Sequence, residues 1–311
     1  MFFVADKKRR EALVSWHSTI HDCSAKLIER CLMVESILQF ITSDVYLFES
    51  LAMKGGIALN FCYLNVPRLS NDIDFDYCKN TGFDNLEDER ETIIQRFEKM
   101  AAHRDDVFFS VASKGFFDSI IYEYVNVEGV KESICIDINY LKRVHILGYT
   151  NLLVNNRIVK GLPVKTLDLA EVIGGKIKIL LEYRRSKDFY DIYNIYSNNL
   201  ASDKNLIKKC VIYYNTISGN CDIDRIDFRN LLIDELSLEE LRNMLPSDTE
   251  IDFPSVADKV RAFVKDTLSI DDSDRKFISD YRNHVYNPSL LFQDQSIAEK
   301  LLHHPMAIPS I

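Results

Sequence analysis

Apolar positions recur at three- and four-residue steps from residue 8 to residue 42, with Cys23, Leu27, Cys31, Leu32, Ile37, Leu38 and Ile41 on the repeating side. That spacing predicts a helix across the span. SLAMK then predicts a short strand, Gly55-Gly56 a turn, IALNFCYL a helix, VPRLS a loop and DIDFDYC a strand. The charged run DNLEDERETIIQRFEKM, from Asp84 to about His103, predicts a surface helix with Ile93, Ile94 and Phe97 turned inward. VFFSVAS, IIYEYVNV and SICIDINYL alternate with period two and predict antiparallel strands in a meander. Around Gly161-Leu162-Pro163 the pattern changes. Nearly everything after Thr166 predicts helix, apart from a polar loop near Asn215–Asp227 and a Pro-containing stretch near Pro246–Pro254. The expected organisation is an α/β domain over residues 1–162 and a helical domain over 163–311.

Composition narrows the class. A chain of 311 residues that is 47% hydrophobic can bury a sizeable core and has room for two domains. A formal net charge of −9 excludes a uniformly basic nucleic-acid coat but leaves room for a local basic groove. The seven cysteines form no CxxC and no paired Cys/His spacing, which points to buried thiols in a reducing compartment and away from structural zinc. The opening MFFVADKKRR lacks the apolar run of a signal peptide, and no stretch reaches the length of a membrane span. The expected location is the cytoplasm, without membrane association.

The chemistry concentrates in DIDFDYC. On a strand, Ile73, Phe75 and Tyr77 share the core face, whereas Asp72, Asp74 and Asp76 share the other. Residues two apart on a strand lie about 6.5–7 Å apart at Cα, so their carboxylates can converge on metal ions about 3.5–4 Å apart. Such hard oxygen donors suit Mg²⁺ or Mn²⁺. The same pattern also fits an edge strand with its acids in water. ICIDINY repeats the arrangement, with Ile134, Ile136, Ile138 and Tyr140 on one face and Asp137 on the other. If the two strands pair, Asp137 joins Asp72 and Asp74 as a third carboxylate.

Upstream, Gly55-Gly56 closes a strand and opens a helix, an arrangement that lets backbone N–H groups approach a phosphate, with Lys54 beside them as a cation. A tight turn would need the same glycines. Phosphate cradle before acidic strand is the order that a triphosphate and its metals require.

In TLDLAEVIGGKIKILLEYRR, a turn of about 100° per residue gathers Leu169, Ala170, Val172, Ile173, Ile177, Ile179, Leu180 and Leu181 into one apolar sector. Lys176 falls inside that sector, whereas Lys178 falls on the polar side with Asp168 and Glu171. A buried ammonium is costly, so Lys176 either snorkels outward or faces anions. In RRSKDFYDIYNIY, Phe189, Ile192, Tyr193, Ile195 and Tyr196 form an apolar stripe with Asp188 inside it and Asp191 at its border. Asp188 can pair with Lys176 or an arginine, or orient a catalytic group. Arg184, Arg185 and Lys187 form a local basic patch able to steer a phosphate-bearing substrate, or a solvated helix end.

KGGIAL, RLSNDIDF, the Lys176 helix and KDFYDIY together resemble the AbiEii/MenT family of nucleotidyltransferase-like toxins, whose members show KGGTAL, RxSxDIDL, an AxKxxA-like lysine helix and an RDxYDL segment. The ending LLHHPMA is similar to the HP-containing C-terminal segment of many members. Ile57 stands where the family has Thr, Gly174-Gly175 where it has acidic or small residues, and Lys187 where it has Arg. The resemblance implies an α/β, polymerase-β-like nucleotidyltransferase core with a mixed sheet, followed by a helical domain that contributes Lys176 and Asp188 to the site. It implies an NTP substrate, Mg²⁺ or Mn²⁺, an RNA acceptor expected to be tRNA, a cognate antitoxin and a role in toxin–antitoxin or phage-defence pairs. On this resemblance Gly55 and Gly56 hold the triphosphate with Lys54, Ser70 and Asp191 nearby. Asp72 and Asp74 hold metal, Lys176 contacts the nucleotide and Asp188 completes the site, while Asp76 is a bystander.

Two other classes remain. One is an inert nucleotide- or partner-binding protein on the same fold, which the off-face lysine and the full set of acids disfavour. The other is a different DxD metal enzyme, a glycosyltransferase or nuclease, which the GG-before-DxD order disfavours.

Overall fold

A computed structural model of the chain describes residues 7–307 except 22, 71, 80–84, 103–105, 220–221 and 247–248. The opening MFFVAD, and Asp84 and His103 at the ends of the charged run, lie outside the described residues. The chain divides into two compact units. The first comprises residues 1–143, 149–166 and 244–248, and the second 144–148, 167–243 and 249–311.

The first unit is built on helices α1 (Lys7–His21), α2 (Ala25–Ser43) and α3 (Val45–Ser50), then strand β1 (Leu51–Met53). The single helix expected over residues 8–42 is two. Its break has a local cause, because the Ser24 side chain accepts a hydrogen bond from Leu27 N–H and caps a new helix start. Helix α4 (Gly55–Ile57) continues into a π-helical turn over Ala58–Tyr63, where the Asn60 side chain donates to Gly56 O at 2.9 Å. Strand β2 (Asp72–Tyr77), helix α5 (Leu86–Ala101), the strands β3 (Val107–Lys114), β4 (Phe117–Val125) and β5 (Lys131–Asn139), and then β6 (Tyr149–Asn155) and β7 (Lys160–Leu167) complete it.

The seven strands form one sheet in the order β3-β4-β5-β2-β1-β7-β6. The β3–β4–β5 meander is antiparallel as the alternation predicts, β5 runs parallel to β2, β2 antiparallel to β1, and β1 parallel to β7. The sheet is therefore mixed. The register aligns Ile73 with Ile136 and Phe75 with Ile138, and all four are buried. Burying each such side chain stabilises by roughly 1.5–3 kcal/mol, so a one-residue slip, which would turn both rows to the opposite face, is strongly disfavoured.

The second unit is helical: α6 (Leu169–Tyr183), α7 (Ser186–Ser197), α8 (Lys204–Ser218), α9 (Leu238–Arg242), α10 (Phe253–Thr267), α11 (Asp272–Arg282) and α12 (Gln295–Leu301). Asn215, expected to begin a loop, lies in the last turn of α8. Helices α6 and α8 meet closely at Gly174, where an added Cβ would stand 2.7 Å from Cys210 Cβ. This contact accounts for a glycine before Lys176. No helix among the described residues is long and apolar enough to cross a membrane.

Candidate active site

In the first unit, β1 delivers Lys54 and Gly55 alongside β2. Lys54 N–H donates to Asp74 O at 2.9 Å, and Gly55 follows with φ of +66°. Only glycine adopts that conformation without strain. The position demands glycine a second time, since a Cβ there would stand 2.7 Å from Asp74 Oδ2. The backbone of the glycine pair thus lies directly against the central carboxylate of the DIDFD strand.

The pairing expected for Asp137 is present. Strands β2 and β5 set Asp74 opposite Asp137 and Asp72 opposite Cys135. Neighbouring strands lie about 4.8 Å apart, so both aspartates stand side by side on the face away from the Ile73 and Phe75 row. Asp137 Oδ1 accepts hydrogen bonds from Ser119 Oγ at 2.6 Å and Cys135 Sγ at 3.1 Å. Burial, then the hydrogen-bonded Asp137 carboxylate and the charge of Asp72, push the Cys135 thiol up to about 12, so it stays a donor. Ser119 and Cys135 are functional candidates that motif reading missed. Their signal was positional, because β4 aligns Ser119 with Asp137 once the meander register is known.

Asp76, expected as a bystander on the acid face, is buried. It is 1% exposed and forms an ion pair with Lys54 Nζ. The pair ties the end of β1 to β2 and explains why a third acid follows the DxD: it holds the ammonium of the lysine beside the glycines. Ser70 Oγ donates to Asp72 O at 3.1 Å, and Arg30 Nε donates to Ser70 O at 3.0 Å, which fixes the loop leading into the strand.

Among the described residues no group of three or more His, Cys, Asp or Glu side chains converges to hold a metal ion. Mg²⁺, however, is commonly held by one or two carboxylates, with substrate phosphates and water completing the octahedron. A half-buried carboxylate pair, Asp72 and Asp74, with the Gly55 backbone lying against Asp74, fits that mode.

In the second unit, Lys176 does not snorkel. Its ammonium is buried and pairs with Asp191 Oδ2 at 2.6 Å and Asp188 Oδ1 at 3.4 Å, while Arg185 Nε donates to Asp188 Oδ2 at 2.9 Å. Asp188 and Asp191 are both fully buried, so the border position expected for Asp191 is instead interior. Of the basic patch, Arg185 is paired with Asp188 and Lys187 with Glu240 at 2.8 Å. Arg184 ends α6 in the left-handed conformation, exposed to solvent.

The polar side expected of α6 is also buried. Lys178 pairs with Glu182. Glu171 is 2% exposed and accepts hydrogen bonds from His145 Nδ1 at 3.0 Å, Leu147 N at 2.9 Å and the Tyr214 hydroxyl. Burial pushes the Glu171 carboxyl up, but these donors outweigh it and hold the group below its ordinary value. Helical periodicity marks the most apolar face of α6. It cannot register that partners cover the opposite face too.

The model of one family, the nucleotidyl transferase AbiEii toxin of type IV toxin–antitoxin systems, matches residues 37–266, more than half of the chain. Among solved structures the fold is similar to that of MenT4, described as a nucleotidyltransferase toxin from Mycobacterium tuberculosis H37Rv. The TM-score is 0.66 and the identity 16%, over 94% of this chain and 97% of that one. No curated protein matches the chain.

Proposed function

The chain belongs to the AbiEii nucleotidyltransferase toxin family, and from that premise we propose that it transfers an NMP unit from an NTP to a hydroxyl of an RNA, with tRNA the expected acceptor. The observation that carries the reading is Gly55 packed against the Asp74 carboxylate, with Asp74 in register beside Asp137.

In this reading the acceptor oxygen bonds to the α-phosphorus as the bond to the β-phosphate's bridging oxygen breaks, and pyrophosphate leaves. Asp72 and Asp74 would hold a divalent cation, which supplies charge neutralisation and acidifies a hydroxyl when bound. The chain's own residues do the positioning. Gly55, without a Cβ, lets the backbone lie against the Asp74 carboxylate, and the glycine pair opens the helical segment whose N–H groups would receive the phosphates. Lys54, held by Asp76, fixes the backbone entering Gly55. Asp137, oriented by Ser119 and Cys135, is the carboxylate we assign to the acceptor proton. Lys176 keeps its role as a nucleotide contact on the family resemblance alone. Growth inhibition by tRNA modification, and restraint by a cognate antitoxin, complete the proposal.

The test is incubation with each α-³²P-labelled NTP, Mg²⁺ and total tRNA, in parallel with periodate-oxidised tRNA, which has no 3′ hydroxyls. Label entering intact RNA from one NTP, but not oxidised RNA, is the expected result. Label absent from RNA with every NTP, under conditions where the NTP binds, would contradict the acceptor assignment.

A further inference from the structure

We propose that His17 and His21, near the C-terminal end of α1, form a two-histidine site for a divalent transition-metal ion of the zinc, nickel and copper class, a site that the proposed transfer chemistry does not use.

The two residues stand four apart on α1, the spacing that sets side chains on one face a single turn apart. Their imidazole rings stack, with centroids 5.5 Å apart and planes at 22°. A metal about 2.0–2.1 Å from one nitrogen of each ring, at a tetrahedral angle, sets two such centroids about 5 Å apart. The rings already stand close to that spacing. Because they are nearly parallel, binding has to turn them about χ2, which is a broad torsion in histidine. Helical histidines at i and i+4 hold zinc in metalloproteases through the same spacing.

The surroundings leave the pair available. Both side chains are half-buried, in contact with each other and with Trp16, and among the described residues neither ring is hydrogen-bonded. His17 Nδ1 is occluded, which leaves Nε2 as the ligating nitrogen of that ring. Burial, then the neighbouring His21, holds the His17 imidazole below its ordinary value of 6.5, so near neutral pH it keeps the lone pair that a metal needs. Imidazole donors suit zinc, nickel and copper, whereas Mg²⁺ prefers oxygen. The donor type therefore separates this site from Asp72 and Asp74. Among the described residues no third His, Cys, Asp or Glu converges to complete a metal cluster, so water fills the remaining positions. An ion bridging the two rings spans one turn and holds the end of α1 helical.

Trp16 makes the test specific, because it is the only tryptophan of the chain and its ring meets that of His17 edge-on, with centroids 4.6 Å apart. Ni²⁺, which quenches a neighbouring indole without oxidising thiols, is titrated into the full chain while Trp16 fluorescence is read. Saturable quenching at equimolar binding, unaffected by excess Mg²⁺, is the expected result. His17→Gln and His21→Gln should each weaken it at least about tenfold, and Asp74→Asn should leave it unchanged. Glutamine keeps a good helix former at both positions. Should one histidine variant fail to fold by circular dichroism, the other carries the comparison. No quenching at millimolar Ni²⁺ would overturn the proposal. So would wild-type affinity in either folded histidine variant, or binding lost in Asp74→Asn.

Discussion

Gly55 is the residue at which conformation and chemistry coincide. An alanine there must adopt a positive φ, which costs an L-residue about 1–2 kcal/mol, and must also displace Asp74 Oδ2 from 2.7 Å. Gly55→Ala is therefore expected to cost about 1–2 kcal/mol in urea unfolding but to lower nucleotidyl transfer about 100-fold, because displacement of a positioned group by an ångström has that effect. Lys176 is different in kind. Its ammonium compensates two buried aspartates, so Lys176→Met should destabilise by about 3–5 kcal/mol in urea melts, the range for breaking a buried pair. Glu171 contributes through pH. Its carboxyl is held below its ordinary value of 4.5, so its stabilisation is complete above that pH and is lost as pH falls through the lower, folded-state value. Glu171→Gln is expected to be less stable than wild type near neutrality, with the gap closing below about pH 4.5 in pH-dependent unfolding. Lys176 and Asp188 were legible as charges inside apolar sectors. Glu171 was not, because it is satisfied by His145, Leu147 and Tyr214, which the helix's own sequence cannot display, whereas Lys178 pairs within the helix, with Glu182 four residues on.

At the scale of elements, the two-residue period of DIDFDYC and ICIDINY gave both the core rows and the acid face. The register between the strands came only with the sheet, since pairing is a long-range choice. The same limit hid Ser119, whose meaning depends on standing opposite Asp137. Helix α6 carries two glycines whose roles divide cleanly. At Gly174 a methyl would meet Cys210 Cβ at 2.7 Å, with Val211 N at 3.4 Å, and a Cβ cannot rotate away. At Gly175 nothing lies within 4 Å. Gly174→Ala should destabilise by about 1–3 kcal/mol through overpacking, while Gly175→Ala should stabilise by up to about 1 kcal/mol through helix propensity. Paired thermal melts check the opposite signs.

For the whole molecule, the short motifs spread from Lys54 to Asp191 identified the family before any coordinates, and the α/β core and helical region follow the expected class. What the motifs did not disclose was how many charges are spent internally. Asp76 holds Lys54, Arg185 and Lys176 hold Asp188, and Glu240 holds Lys187. On the proposed reading, a chain with a net charge of −9 would have to recognise an RNA acceptor by shape and positioned groups more than by bulk attraction. We propose that the Gly55–Asp74–Asp137 face performs the transfer. The most direct test is the single-turnover transfer rate of Asp74→Asn, which keeps the side-chain size, beside wild type at matched thermal stability. A fall on the order of 100-fold or more, with NTP still bound, is the expected result. Transfer at the wild-type rate would place the chemistry elsewhere and contradict the account.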